Sequence, residues 1–194
     1  DGGASQALSA TLRLGTQADG DTGLLQNTNA DADDTNNLDD EDSVTTPIVF
    51  TKQATAANAV YVVPVAVTNT SGGNAFLSGF IDLNQDGDFL DTNERSSSVL
   101  TIPNSTTNPT TFYLTFDSTA VNAAALGTTY ARFRLSSVNG DVNSSVGSST
   151  NPGEVEDYTV TIDPTPTLGT PPTCPSVSTK LQWGTTNGAD NYYL

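Results

Sequence analysis

Short runs in which apolar and polar residues alternate dominate the chain from residue 44 onward, and this period of two predicts β-strands. Clusters of Gly, Asn, Pro or Ser bound each run, as turns require. In the last run Tyr158, Val160 and Ile162 fall on one face. The predicted strands are 44–50, 59–68, 76–82, 97–102, 111–116, 129–136 and 155–163.

Seven short, half-buried strands predict an all-β fold, an antiparallel β-sandwich of the Ig-like or jelly-roll-like type. Pro64 lies inside the second run, so that strand is expected at a sheet edge or beside a bulge. Residues 118–126 carry the one helical pattern, a turn or two across a connection. Near the N-terminus, residues 1–14 begin without a pattern and then alternate, with Leu12 and Leu14 on one face and Arg13 on the other.

The alternation of apolar and polar residues is missing in residues 15–43 and again after residue 163, and this sets the predicted domain organisation. Residues 1–43 are interpreted as an N-terminal segment with an acidic arm, and 44–163 as the sandwich. Residues 164–175 are rich in proline and predict a semi-rigid extended linker. The tail, 176–194, is too short to fold alone, so it is expected to dock as a strand or to begin a following domain.

Acidic residues are concentrated in three places. Of 22 acids in a chain of net charge −16, nine lie in residues 19–42, five in 82–94 and three in 153–157. Carboxylates packed beside glycines in loops are typical of sites for a hard cation. The negative field disfavours nucleic acid as a partner, and no stretch is long and apolar enough to predict a membrane span.

The loop 82–94 has the most specific pattern. Asp82, Asn84, Asp86 and Asp88 recur at every second position, and Gly87 permits a sharp turn. Oxygen ligands with this spacing converge in EF-hand calcium loops, although here a predicted strand precedes the loop. Asn93 stands at position twelve, where an EF-hand loop usually has an acidic ligand. One acid lies on each side of it, Asp91 before it and Glu94 after it. We expect Ca²⁺ binding, and the alternative is a solvated acidic turn.

The segment 153–157 begins the last predicted strand. Alternation puts Glu154 and Glu156 on one side of that strand and Asp157 on the other. We expect Glu154 or Asp157 to complete the loop site, and another acid to pair with Arg132 or Arg134. The alternative is a charged edge that discourages strand pairing.

The first acidic cluster is expected to bind further Ca²⁺ ions. Its acids recur in pairs one residue apart, which suits calcium, while the alternative is a solvated acidic arm. The candidate ligands are Asp19, Asp21, Asp31, Asp33, Asp39, Glu41 and Asp42.

Three motifs, in order, resemble the GEVED domain of secreted bacterial surface proteins. They are GFIDLNQDGDFLDTNE, TTYARFRLS and NPGEVEDYTVTI, preceded by an acidic lead-in that also looks like that of the family. The resemblance covers roughly residues 12–163 and implies a calcium-associated β-sandwich module of adhesins and exported enzymes. It matches Asp82, Asn84, Asp86, Asp88 and Glu94 to the family loop, and Glu154, Glu156 and Asp157 to the signature. Leu83 replaces the usual Trp and Ser43 the usual Gly, and neither change removes a ligand.

The residue types present argue against catalysis. The chain has no His to serve as the base for a Ser nucleophile, and Cys174 is its one cysteine. A hydrolase using two carboxylates is conceivable, but the aromatic residues of a sugar cleft are scarce. The first residue is Asp1 rather than Met, which suggests a processed, secreted chain.

The leading hypothesis is therefore a non-catalytic, extracellular, calcium-binding structural module of the bacterial cell surface. It would be a subunit of a fibre or an adhesin, self-associating by donation of a strand from the tail or from residues 8–14. The alternative is an accessory domain of a secreted enzyme that binds glycan or another substrate, with Tyr61, Tyr113 and Tyr130 on one exposed face.

Overall fold

Two β-sheets make up the fold in the computed structural model, which describes residues 3–18, 41–44, 47–55 and 59–166. The predicted all-β class is confirmed. The strands are β1 (Ala4–Ala7), β2 (Leu12–Leu14), β3 (Ile48–Thr51), β4 (Tyr61–Asn69), β5 (Ala75–Ile81), β6 (Leu100–Ile102), β7 (Thr106–Phe116), β8 (Gly127–Ser136) and β9 (Gly147–Asp163). Helix α1 (Ser118–Ala123) and a 3₁₀ helix (Asp141–Asn143) lie between them.

The larger sheet has the strand order β1-β9-β8-β5-β6, with β3 also paired to β9, and the smaller sheet has the order β2-β4-β7. Strands β8 and β9 pair antiparallel over their whole overlap, from Gly127 opposite Ile162 to Ser136 opposite Gly153. Strands β1 and β3 pair parallel to β9, which corrects the prediction of a purely antiparallel sandwich. Because both are far from β9 in sequence, no hairpin fixes their direction.

The core lies where the apolar faces of the strands meet. Leu12 and Leu14 are fully buried while Arg13 is not, so the predicted alternation in β2 is confirmed. Other core residues exposed by 1% or less include Val63, Val65, Val67, Leu77, Leu114, Phe133, Leu135, Val160 and Ile162. The sandwich thus includes strands from the part of the chain that the sequence assigned to the N-terminal segment.

Several predicted strands have different ends. The run 44–50 becomes a strand only at Ile48, after Pro47, which has no N–H to donate. The run 97–102 shortens to β6, since the Ser97 N–H donates to the Thr115 carbonyl at 2.8 Å instead of joining the strand. Strands β7 and β9 begin earlier than predicted. The prediction missed their first halves because these are polar and lack an apolar period.

Pro64 lies in the middle strand of the smaller sheet, β4. Strand β2 pairs only with Val67–Asn69 of β4, whereas β7 lies along its full length, with Tyr113 opposite Pro64. At Pro64 β4 therefore has a described neighbour on one side, and the missing N–H breaks no pairing there. The prediction of an edge strand is wrong, because β4 lies between β2 and β7, while the alternative of a bulge has a counterpart in the shift of register between Val67 and Asn69.

The helical prediction is confirmed for six residues. Asp117 caps α1, because its Oδ1 accepts the Ala120 N–H at 2.8 Å, and Val121 of the helix is fully buried against the core. Both helices are short, and within the described residues we find no helix that could span a bilayer.

The close contact of β8 and β9 at Gly153 generates a prediction. A Cβ added to Gly153 would lie 2.1 Å from the Leu135 carbonyl oxygen, so Gly153→Ala must push two paired strands apart. We expect a loss of about 1–3 kcal/mol in the free energy of unfolding, measured in urea. The control is Gly140→Ala, where φ is −57° and no atom lies within 4 Å of the added Cβ. Equal stabilities for the two variants would contradict this packing.

Candidate cation site

The loop 82–94 leaves the larger sheet directly at the end of β5 and returns beside it. The Ile81 N–H donates to the Glu94 carbonyl at 2.8 Å, and Arg95 then forms a bridge opposite Phe80. The Asp82 N–H donates to the Tyr130 carbonyl of β8 at 3.1 Å. Both ends of the loop are therefore fixed to the sheet, and the chain leaves and re-enters the sheet at neighbouring positions.

The Asp82 carboxylate holds the first half of the loop in place by hydrogen bonds. Its side chain is buried, and its two oxygens accept the N–H groups of Gln85, Asp86 and Gly87 at 2.6, 3.2 and 3.1 Å. Gly87 has φ of 95°, in the left-handed region that favours glycine, so the predicted turn role is confirmed. Asp82 thus turns the chain at this point, and the next acids along the loop are more exposed than Asp82 itself.

Glu94 closes the second half. It is 2% exposed, and its Oε1 accepts the Leu83 N–H at 2.9 Å while its Oε2 accepts the Asp91 N–H at 3.2 Å. Burial raises the pKa of Glu94; the backbone N–H groups oppose this shift, and the charge of Asp82 adds to it. A cation near this pair would favour the ionised form that the loop uses.

The three more exposed acids of the loop, which we call the rim acids, lie close together. Asp86, Asp88 and Asp91 each offer one carboxylate oxygen within 4.8 Å of the others. Asn84 lies among them, since its Nδ2 donates to Asp86 Oδ2 at 3.0 Å and to Asp91 Oδ2 at 2.6 Å. A half-turn of that amide would present Oδ1 to the same point, but it would break the hydrogen bond in which Oδ1 accepts the Asp86 N–H at 3.0 Å. The donor set is all oxygen and fits a hard cation such as Ca²⁺.

Repulsion within this group makes a cation favourable. Two carboxylates about 4 Å apart repel by about 1 kcal/mol even at the dielectric constant of water, and by more near a protein surface. The described loop offsets this only with the Asn84 amide and backbone N–H groups. A divalent ion bound among them would attract each carboxylate and so offset the repulsion within the group.

The signature segment lies on both faces of β9, as predicted. Glu154 is opposite Leu135 and Glu156 opposite Phe133, so these two face the interior, where they are 3% and 1% exposed. Asp157 is opposite Arg132 on the other face. On the side of β9 away from β8, β1 pairs only as far as Pro152 and β3 only from Val160 onward, so no described strand pairs with residues 153–157 there. The alternative interpretation of this segment as a charged edge therefore stays open, although two of its three acids are buried.

The two buried glutamates bind segments from the start of the chain. The Leu14 N–H donates to Glu154 Oε2, and the Ser43 hydroxyl donates to Glu156 Oε2. The Tyr158 hydroxyl also donates to Glu156 Oε2, at 2.8 Å. Burial first, and then the charge of Glu156, raises the pKa of Tyr158, so this hydroxyl keeps its proton. These contacts attach β2 and residue 43 to β9.

Asp157 forms a two-pronged ion pair with Arg132. The Arg132 Nε donates to Asp157 Oδ1 at 2.8 Å and its Nη2 donates to Oδ2 at 2.7 Å. The prediction that an acid of this segment pairs with Arg132 or Arg134 is therefore confirmed. Neither Glu154 nor Asp157 belongs to the described group of Asp86, Asp88 and Asp91, so the expected completion of the loop by one of them finds no counterpart there.

Of the acidic arm, Glu41 and Asp42 lie within the described residues, and Glu41 is partly buried. Asp42 Oδ1 accepts the Thr16 N–H at 2.8 Å, and its Oδ2 accepts the Thr16 hydroxyl. Gly15 has φ of 53° and lies so close to Asp42 that no Cβ would fit. Asp42 therefore fastens the turn after β2. The other candidates fall outside the described residues: Asp19, Asp21, Asp31, Asp33 and Asp39.

One acid with a structural role was missed because it is isolated in sequence. Asp141 Oδ2 accepts hydrogen bonds from Ser136 Oγ at 2.8 Å, Ser149 Oγ at 2.7 Å and Asn151 Nδ2 at 3.0 Å. It thereby joins the 3₁₀ helix to the ends of β8 and β9. The Ser and Asn residues nearby were the available signal, but they are common throughout this chain.

The tyrosines proposed for a sugar-binding face do not share a surface. Tyr61 is 5% exposed, and its hydroxyl contacts the Asn122 Oδ1 at 2.6 Å. Tyr113 is 64% exposed but belongs to the smaller sheet, whereas Tyr130 belongs to β8 of the larger sheet. A single aromatic platform is therefore absent among these three described residues.

Residues 76–161 match the family model of the GEVED domain. This stretch is the part of the chain that is similar to the GEVED domain. The resemblance inferred from the sequence is thereby confirmed for this stretch, which includes the loop 82–94, the two arginines of β8 and the signature segment. The resemblance to the family was also expected to cover residues 12–75, and these lie outside the match. No curated protein matches the chain.

The hydrogen bonds to Asp141 generate a prediction about pH. Burial alone would raise the pKa of Asp141, but the three hydrogen bonds and the charge of Arg134 outweigh it and lower the pKa below the ordinary 3.8. The ionised carboxylate therefore stabilises the fold above pH 3.8, and this stability is lost as the pH falls through the lowered pKa. Asp141→Asn should cost about 1–3 kcal/mol at neutral pH, measured in urea. The gap should narrow below pH 3.8, and a gap that is constant with pH would contradict the assignment.

Proposed function

We propose that the chain is a non-catalytic, extracellular structural module of a bacterial surface protein, and that Ca²⁺ stabilises it through the loop 82–94. The observation that carries this proposal is the grouping of Asp86, Asp88 and Asp91 within 4.8 Å. These acids stand on a backbone that Asp82 and Glu94 hold in place by hydrogen bonds. The ion would be held by the three rim carboxylates and the Asn84 oxygen, and would supply positive charge.

The energetic scale supports a structural role. Extracellular calcium modules bind with dissociation constants of about 0.1–1 mM. At a hundredfold excess over its dissociation constant, an ion that binds the folded state alone adds about 2.7 kcal/mol. That is a sizeable part of the net stability of a domain, which is about 5–15 kcal/mol. The proposal leaves open further ions at the acids of the arm.

Two other classes of function have less support. An accessory glycan-binding domain would need an aromatic platform, and Tyr61, Tyr113 and Tyr130 lie in different surroundings. A hydrolase would need one carboxylate poised as an acid in a cleft, whereas the loop acids accept hydrogen bonds from backbone N–H groups of their own loop. The absence of His from the sequence further favours a non-catalytic role.

Self-association into a fibre or within an adhesin is the second part of the proposal. Strand β7 lies at one end of the smaller sheet, and most residues in its first half are exposed. An edge of this kind can accept an added strand. Of the two candidate donors, residues 8–14 already supply β2, which pairs with β4 of the same chain. This favours the tail, residues 176–194, as the donor.

The calcium proposal predicts a specific pattern of melting temperatures. Wild-type protein in millimolar Ca²⁺ should melt about 5–10 °C higher than in chelator. The double substitution Asp86→Asn and Asp88→Asn should abolish this difference, because it removes two ligands. In chelator the double variant should melt no lower than wild type, because it also removes repulsion.

The matched control is Asp117→Asn, which removes one charge but keeps a good helix cap. It should retain the full response to calcium. A wild-type protein whose melting temperature is the same in Ca²⁺ and in chelator would refute the proposed site.

The assembly proposal predicts a dependence on the tail. By light scattering, the full chain should form species larger than a monomer, whereas a chain ending at Asp163 should remain monomeric with an unchanged circular dichroism spectrum. Two monomeric samples would rule out strand donation by this tail.

A further inference from the structure

Arg132 is buried on the face of β8 opposite the core, where its contacts include Ser145, Asp157 and Phe89. It is 1% exposed, and its Nη1 donates to the Ser145 carbonyl at 2.8 Å. Its Nε and Nη2 bind Asp157, and its Cζ lies 5.3 Å from the centre of the Phe89 ring. Arg132 therefore connects β9 with the loop 82–94.

Phe89 is the point where the loop rim attaches to the sheet. It is 8% exposed, whereas its neighbour Leu90 is 66% exposed. In sequence it lies directly after Asp88 and two residues before Asp91, between two acids of the converging group. A shift of the Phe89 ring would therefore move the segment that sets the spacing of these carboxylates.

The charge of Arg132 is balanced by Asp157. An unpaired guanidinium next to a cation-binding loop would repel the ion that the loop binds. Two charge-assisted hydrogen bonds to Asp157 neutralise it while leaving its planar face available to the ring. The pair can thus hold Phe89 without disfavouring a cation.

We propose that Arg132, neutralised by Asp157, is a positioning residue for the cation loop and acts on it through Phe89. This inference rests on the proposed calcium function and deepens it. It assigns Asp157, the final acid of the signature segment, an indirect role in which it sets the geometry of the ligands without being one. Groups that orient metal ligands commonly change metal affinity by about 10- to 100-fold when they are mutated.

Arg134 provides a matched control. It lies two residues further along the same face of β8 and is 2% exposed. Its guanidinium donates to the carbonyl groups of Ser144, Val146 and Gly147, which lead into β9. Arg134→Lys should therefore lower the stability of the fold much as Arg132→Lys does, but without loosening Phe89.

The test is calorimetric titration of CaCl₂ into the full chain, combined with urea unfolding in chelator. Arg132→Lys and Phe89→Leu should each weaken calcium affinity by about tenfold. The double variant should lose little more than either single variant, because both changes release the same contact. Arg134→Lys should keep its calcium affinity within about twofold of wild type while losing stability in chelator.

The outcomes separate this inference from the function on which it rests. Wild-type protein that binds no calcium overturns both. Wild-type binding with unchanged affinity in Arg132→Lys and Phe89→Leu overturns the positioning role alone. Equal losses of affinity in Arg132→Lys and Arg134→Lys also overturn it, since they indicate a general effect of destabilisation. If Arg132→Lys fails to fold, Phe89→Leu measured against Arg134→Lys decides the question.

Discussion

The burial of charged side chains is the constraint on which the rest of this structure depends. A charge removed from water costs several kcal/mol unless it is paired or hydrogen-bonded. Among the described residues, six charged side chains are buried: Asp82, Glu94, Arg132, Arg134, Glu154 and Glu156. Asp82 and Glu94 bind backbone groups of their own loop, whereas the two arginines and the two other glutamates bind groups from other segments. Their partners therefore determine the shape of the loop and where the N-terminal strand lies against β9.

These contacts give the molecule two regions with different physics. Inside, apolar side chains from both sheets supply non-directional stabilisation, while Glu154 and Glu156 fix where β2 and residue 43 attach to β9. Outside the larger sheet, the loop 82–94 holds its acids at a spacing that a cation would stabilise. Arg132 links this loop to β9 through Phe89 and Asp157. A calcium ion would then add a stabilising interaction to this loop.

Local patterns in the sequence were sufficient to predict the all-β class, the buried faces of β2 and β9, the turn at Gly87 and the pairing of Arg132 with an acid of the signature segment. Each depends on the alternation of side chains or on residues a few positions apart. The parallel pairing of β1 with β9 was not predictable, because it joins segments far apart in sequence and its β9 partners, near Gly147, lack an apolar period.

The partners of the buried glutamates were missed for a related reason. Acids in a strand were expected to serve a cation or a salt bridge, whereas Glu154 accepts a backbone N–H from Leu14, 140 residues away. A backbone donor has no sequence signature, so the sequence cannot identify it. Asp141 was missed because its partners are Ser and Asn residues, which occur throughout this chain.

The central claim is that the rim acids of the loop 82–94 are grouped because they bind a divalent cation. The most direct measurement is anomalous diffraction from crystals grown in calcium, which locates the ion without reference to stability. The account predicts an anomalous peak coordinated by Asp86, Asp88 and Asp91, with the Asn84 amide oxygen turned toward it. Clear density for these side chains with no peak among them, in crystals saturated with calcium, would contradict it.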